Sequence, residues 1–323
     1  MLPALVTVFA AGGSAGDVRA DESGTSFWLL GSYASQGAVP STPGLSLDTT
    51  FYSAGASAGR TASFTRGGRI EVGLDTTSNY FMLTPSYAFE TPVLGGQVAA
   101  GVTALWGNYS SAVSATLVAP SGRSLSGSIG DSMTAFGDLF PTASLRWNQG
   151  VHNFMTYVTA NVPLGAYDVN RQASVGLGRW AIDGGVGYTW FDEAKGPELT
   201  VVAGLTYNFI NPYTAYQSGI DLHVEMSASQ YLTERFLAGL VGYYYQQITA
   251  DSGPGATLGP FMSRVAGIGP QLGYDFIGGR RQASLTARAY YEFAGENRPQ
   301  GWNAWLTLVI ALGVPGRKAA PPP

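Results

Sequence analysis

The sequence predicts an all-β fold: a transmembrane antiparallel β-barrel of the outer-membrane type, with about twelve strands. Three observations carry this. Apolar and polar residues alternate at period two along much of the chain. About twelve segments show the pattern, and single-chain barrels of this type have an even strand number. The connections between segments alternate short and long, as they do when one barrel end carries tight turns and the other carries loops.

The chain opens with "LPALVTVFAAGGSAG", a short apolar stretch that ends in small residues, followed by "VRA" and "DES". Val18 and Ala20 then sit at the −3 and −1 positions of a small-residue cleavage site, so residues 1–20 read as a signal peptide. The expected strands lie near 46–58, 79–90, 95–108, 136–148, 151–163, 179–192, 197–209, 218–230, 235–249, 263–277, 282–294 and 301–312. In "ASLTARAYYEF", Ala283, Leu285, Ala287, Ala289, Tyr291 and Phe293 share one parity, opposite Ser284, Thr286, Arg288, Tyr290 and Glu292. In "ELTVVAGLTYNF", Leu199, Val201, Ala203, Leu205, Tyr207 and Phe209 do the same. Aromatics near the ends of such a face, with aliphatics between, describe a lipid-facing strand and its interface girdles. "ETPVLGG", "NQG", "DEAKGPE", "YLTER" and "IGGRR" read as tight turns. Longer links are expected near 59–78, 109–135, 164–178, 210–217 and 250–262, and a shorter one near 295–300. Pro270 lies inside a strand and lacks a ladder donor, so a bulge is expected there. The barrel is expected over 45–313, and "GRKAAPPP" closes the chain as a disordered tail over 314–323.

Composition narrows the class further. Charged residues make up 12% of the chain, about half the share usual in soluble domains. No run of about 18 apolar residues follows the N-terminus, so spanning helices are not expected. The net charge of −4 comes without a basic run, so nucleic acid is not an expected partner. Without cysteine, thiolate chemistry, disulfides and Cys-based metal sites are excluded.

Several stretches resemble a known family. "ESGTSFWLLGSYASQGAVPSTPG", "FGDLFPTASLRWNQGVHNF", "VPLGAYD", "GRWAIDGGVGYTW", "NPYTAYQSGIDLHVE" and "GYYYQQITADSGPGATLGPFMSRVAGIGPQLGYDF" follow one another over nearly all of residues 21–312. In content and order they are similar to the outer-membrane barrels named for the meta pathway of phenol degradation. The resemblance implies a barrel of about this strand number, located in the bacterial outer membrane among its lipids. It also implies a role in passing small hydrophobic or aromatic compounds. It further implies a non-strand N-terminal segment, with which Pro40 and Pro43 agree; residues 21–44 are expected to enter the lumen. Many barrels end their last strand on an aromatic residue, whereas here "WLTLVIALGVPGRKAAPPP" runs on.

The candidate functional residues follow from parity. In "SGIDLHVEMSAS", Ile220, Leu222, Val224 and Met226 face lipid, which turns Asp221, His223 and Glu225 inward. A charge facing lipid at mid-depth would cost about 2–4 kcal/mol. Arg288, Glu292, Asp138 and Arg146 are placed in the lumen by the same argument, and Arg288 is the first cation to test against the two acids. In "GYYYQQ", Tyr244 is the expected lumen contact, with Gln246 next on its side. The only other histidine, His152, is expected on an outer face, so no metal site is expected, and no cofactor. Outer-membrane lipases work at the lipid-facing surface, whereas His223 faces inward, so catalysis is not expected. Two readings stay open besides the channel: a structural or adhesive barrel with a filled lumen, and an outer-membrane enzyme.

Overall fold

In the computed structural model, which describes residues 26–63, 68–257, 259–276 and 283–313, the chain forms one closed barrel. Its strands are β1 (Gly44–Ser63), β2 (Arg69–Ala88), β3 (Gln97–Val118), β4 (Ser124–Gln149), β5 (His152–Asn161), β6 (Ala181–Phe191), β7 (Pro197–Asn208), β8 (Asp221–Tyr231), β9 (Phe236–Gln247), β10 (Arg264–Phe276), β11 (Ala283–Glu296) and β12 (Gln300–Gly313). Each pairs antiparallel with its sequence neighbours, and β1 closes on β12 from Ser46↔Ala311 to Ser57↔Gln300. Hairpin topology needs no crossover, and closure leaves no open sheet edge. The expected signal peptide, the "IGGRR" turn and the C-terminal tail lie outside the described residues.

The outer face is apolar. Val186, Leu205, Leu240, Ile268 and Leu306 all point outward and are exposed. Exposed aromatics mark both ends of this band. Phe89, Phe154, Tyr274 and Phe276 lie toward the tight turns, while Tyr207, Phe209, Tyr291 and Trp302 lie toward the opposite end.

Two of the expected long links are strands. β1 to β4 run for 20, 20, 22 and 26 residues, against 10 to 14 for β5 to β12. A tilted strand spans a bilayer core with about 9–11 residues. The surplus of β1–β4 projects beyond the apolar band as two paired hairpins, with Gly59↔Gly73 and Ser114↔Ser128 as rungs. Both faces of such an extension are wet. Its ladder needs no sustained hydrophobic alternation, and "SLSGSIGDS" shows little, so periodicity missed it.

The bulge expected at Pro270 is absent. The β10–β11 register is the same on either side of it, Ile268↔Tyr291 and Gln271↔Arg288, and shifts instead between Arg264 and Ala266. Pro270 faces Leu240 on β9, and no rung joins it to β11. The missing donor therefore falls where the ladder is already interrupted.

Arginine in place of Val201, outward on β7, is expected to destabilise folding into lipid vesicles by about 2–4 kcal/mol. Arginine in place of Ser128, exposed on the β4 extension, should stay within about 0.5 kcal/mol. Urea titrations of the vesicle-bound protein read both. Equal costs at the two positions would refute the division into a lipid-facing band and a wet extension.

Candidate functional site: the barrel interior

The inner face of the barrel is occupied by residues 26–43, an irregular segment held by two inward acids. Glu225 of β8 takes four donors from it through its carboxylate oxygens. Oε1 accepts from the Trp28 indole N–H at 3.0 Å and from the backbone N–H of Gly31 and Ser32 at 2.8 and 3.2 Å. Oε2 accepts from the N–H of Tyr33 at 2.5 Å. Three consecutive N–H groups converge here, a nest of the kind that holds anions. The turn that aims them uses Gly31 at a φ of +93°, a left-handed conformation that suits glycine. Glu198 of β7 holds the next stretch, accepting from the Ser35 hydroxyl at 2.8 Å and the Gln36 N–H at 3.0 Å. Thr189 accepts from the Ala38 N–H at 3.1 Å. Hydrogen bonds to a charged partner contribute about 1.5–3 kcal/mol each, though not additively.

Trp28 also stacks on His223, with ring centroids 3.9 Å apart and planes at 15°. The imidazole Nε2 of His223 lies 3.1 Å from Asp183 Oδ2 and 3.2 Å from the Tyr157 hydroxyl. Asp183 accepts from the Thr206 hydroxyl at 2.6 Å. This cluster is fully enclosed by the segment and by β5–β8. Gly204 on β7 makes room for it, because a Cβ there would run into the Tyr157 hydroxyl and His223 Nε2. Burial pushes the Tyr33 phenol well above its ordinary range, so it remains neutral.

Asp221, His223 and Glu225 are all inward and at most 1% exposed. Arg288 pairs with neither acid. Asp221 accepts from the Tyr245 hydroxyl at 2.8 Å and from the Asn208 amide at 2.9 Å. Glu292 accepts from the Tyr243 hydroxyl at 2.7 Å and the Gly301 N–H at 2.9 Å. Asp138 is buried against the 162–180 connection, taking the N–H of Gly165 and Leu177, each at 2.8 Å. It pins that connection and lines neither of the cavities described below. Arg146 donates to the Ser41 hydroxyl at 3.1 Å. Arg288 lies over the Trp305 ring at 5.2 Å.

Tyr244 and Gln246 require correction. The β8–β9 register sets Glu225 opposite Tyr243, His223 opposite Tyr245 and Asp221 opposite Gln247, and opposed residues share a face. Tyr243, Tyr245 and Gln247 are therefore the inward residues and are at most 2% exposed. Tyr244 is 38% exposed on the outer face, in the aromatic girdle, and its hydroxyl donates to Gln246 beside it. The interior is protein rather than water at this depth, so the apolar parity of β9, with Leu237 and Val241, belongs inside.

Sequence reasoning missed Trp28, Tyr157, Asp183 and Glu198. Asp183 and Glu198 share a parity with the inward threonines of their strands, which marks both as inward but not as anchors of the segment. Trp28 lies outside any periodic segment, so nothing in alternation could place it. No cluster of metal-ligating side chains forms among the described residues.

The segment divides the remaining space. A cavity of about 870 Å³ lies toward the tight turns, lined by aromatics including Phe27, Phe140 and Trp305, and by Arg146 and Arg288. Cross-strand hydroxyl pairs ring it: Ser46 with Ser86, Thr50 with Thr307, Thr84 with Thr103, and Thr142 with Thr159. A cavity of about 100 Å³ lies on the other side, bounded by Tyr80, Tyr109, Glu292 and Asn303. Trp28 and Leu29 line both.

A family model described as "Putative MetA-pathway of phenol degradation" matches residues 55–308. No curated protein sequence matches the chain. Among solved structures, an outer membrane channel from Pseudomonas putida F1 superposes with a TM-score of 0.64 at 13% identity, covering 85% of this chain and 98% of its own. That likeness shows the fold. CdiB from Acinetobacter baumannii reaches a TM-score of only 0.36 at 9% identity, over 83% of this chain and 60% of its own.

Replacing Glu225 by alanine should loosen the segment without breaking the barrel ladder. With a reporter cysteine in place of the buried Ala34, maleimide labelling of the folded protein is expected to accelerate about tenfold or more when Glu225→Ala is added. An unchanged rate would show that Glu225 does not hold the segment.

Proposed function

We propose that this chain, which belongs to the MetA-pathway phenol-degradation family, is an outer-membrane channel for small hydrophobic or aromatic molecules. The observation that carries the reading is the cavity of about 870 Å³ inside a closed barrel, with aromatic and hydroxyl-bearing walls. It has the size and mixed lining of a small-molecule site. The family description and the outer membrane channel of Pseudomonas putida F1 support the same reading. In this reading the tight turns, the start of β1 and the end of β12 face the periplasm, and the tall β1–β4 hairpins stand outside the cell. The large cavity is then a periplasmic vestibule, with the Trp28–Leu29 stretch as the partition a solute must pass.

That partition also favours a second reading, a structural barrel whose lumen is filled. Two measurements together separate the readings. In planar bilayers, removal of residues 26–43 is expected to raise single-channel conductance severalfold over the intact protein, and liposomes carrying the intact protein should take up phenol faster than protein-free ones. A deletion variant that folds but conducts no better, together with no gain in phenol uptake, would overturn the channel reading in favour of the filled barrel.

A further inference from the structure

Arg288 is an inward cation with no ion-pair partner among the described residues, and its polar neighbour Tyr290 is a neutral phenol. It lines the large cavity from β11, with Trp305 of β12 and Gln271 of β10 as its neighbours across the ladders. Its guanidinium carbon sits 5.2 Å from the centre of the Trp305 ring, which orients the plane. Its Nε is buried and has no hydrogen-bond partner. Gln271 does not supply one: its amide nitrogen is committed to Ser35 at 2.6 Å, and its amide oxygen is itself unpartnered. No described carboxylate forms an ion pair with Arg288. The cavity's own acids are remote. Asp48 lies four residues along β1 from Tyr52, which is level with Trp305, and Asp275 lies four residues along β10 from Gln271. Each is therefore about 13 Å away along the strand. Asp275 already accepts the Tyr231 hydroxyl at 3.0 Å.

A guanidinium stays protonated at every accessible pH, so it cannot relieve this by losing its charge. Its forked donors match a carboxylate in two parallel bonds, stronger than bonds to neutral acceptors. The same cavity is lined by Phe27 and Trp28 of the segment and, on the far wall, by Phe140 of β4. Charge and apolar surface thus face one space.

We infer that the vestibule holds a binding site for small aromatic carboxylates, with the carboxylate on Arg288 and the ring in the aromatic-lined space in front of it. This rests on the channel reading and narrows its substrate class. Benzoate and benzyl alcohol are the probes, similar in shape and different in charge. Titrated calorimetrically into the detergent-solubilised full-length protein at neutral pH, benzoate is expected to bind at least about tenfold tighter than benzyl alcohol. Arg288→Gln should erase the preference for benzoate, and Arg288→Lys should retain part of it. Heat-modifiable migration on gels reports whether each variant folds, and the wild-type comparison stands without any variant. Equal affinities in the wild type, or a preference that survives Arg288→Gln, would overturn the inference. Conductance recorded on the same preparation keeps the two ideas apart. A conducting protein indifferent to charge sinks only the carboxylate site, and a silent protein that prefers benzoate sinks only the channel.

Discussion

The ladder between β1 and β12 is the constraint from which the rest of the molecule follows. In hydrocarbon each backbone N–H and C=O needs a protein partner, so the sheet must close. Closure fixes which residues share a face, because every antiparallel rung sets its two side chains on one side. Once Val201 and Leu205 face outward, Asp221, Glu225 and Glu198 have no choice but to face inward. Twelve strands enclose more space than their own side chains fill, and the chain spends residues 26–43 on occupying it. The acids that closure forces inside become the anchors of that occupant. Glu225 and Glu198 are held by backbone N–H groups and hydroxyls, with no ion pair to a described lysine or arginine. A nest of donors lets a buried carboxylate exist without a matching buried cation.

Much of the barrel was legible in the sequence because lipid imposes a strict period. For β5 to β12, alternation located each strand to within a few residues, and it turned Asp221, His223 and Glu225 the right way. It failed where its premise failed. In the β1–β4 extension both faces are wet, so the pairing of Ser114 with Ser128 leaves no hydrophobic signature. On β9 the premise was that apolar means outward. Leu237, Val241, Tyr243 and Tyr245 reverse it, because Tyr243 and Tyr245 extend an enclosed network through Glu292, His223 and Asp221. The outcome at Tyr244 turns on the neighbouring strand. Only the register with β8 says which tyrosines accompany the acids, and register is a long-range property that one strand's sequence does not contain.

The interior is best understood as two media stacked along the barrel axis. At mid-height the inner positions carry Tyr52, Tyr80, Tyr243, Tyr290 and the enclosed acids, all packed like a domain core. Toward the tight turns the same strands carry Ser46, Thr50, Thr84 and Thr307, hydroxyls paired with one another around open space. β1 crosses the boundary within two residues, from Thr50 to Tyr52. β12 crosses it from Thr307 to Trp305, and β11 from Thr286 to Arg288. Arg288 therefore stands on the seam, its Nε on the dry side without a partner while its side chain borders the wet cavity. Deeper in, an unmatched guanidinium would carry a heavy desolvation cost. Nearer the turns, water would satisfy it and weaken any claim on a ligand. The seam is the one depth at which a fixed positive charge is both tolerated and left wanting an anion, and it is also where the aromatic rings of the N-terminal segment meet the cavity.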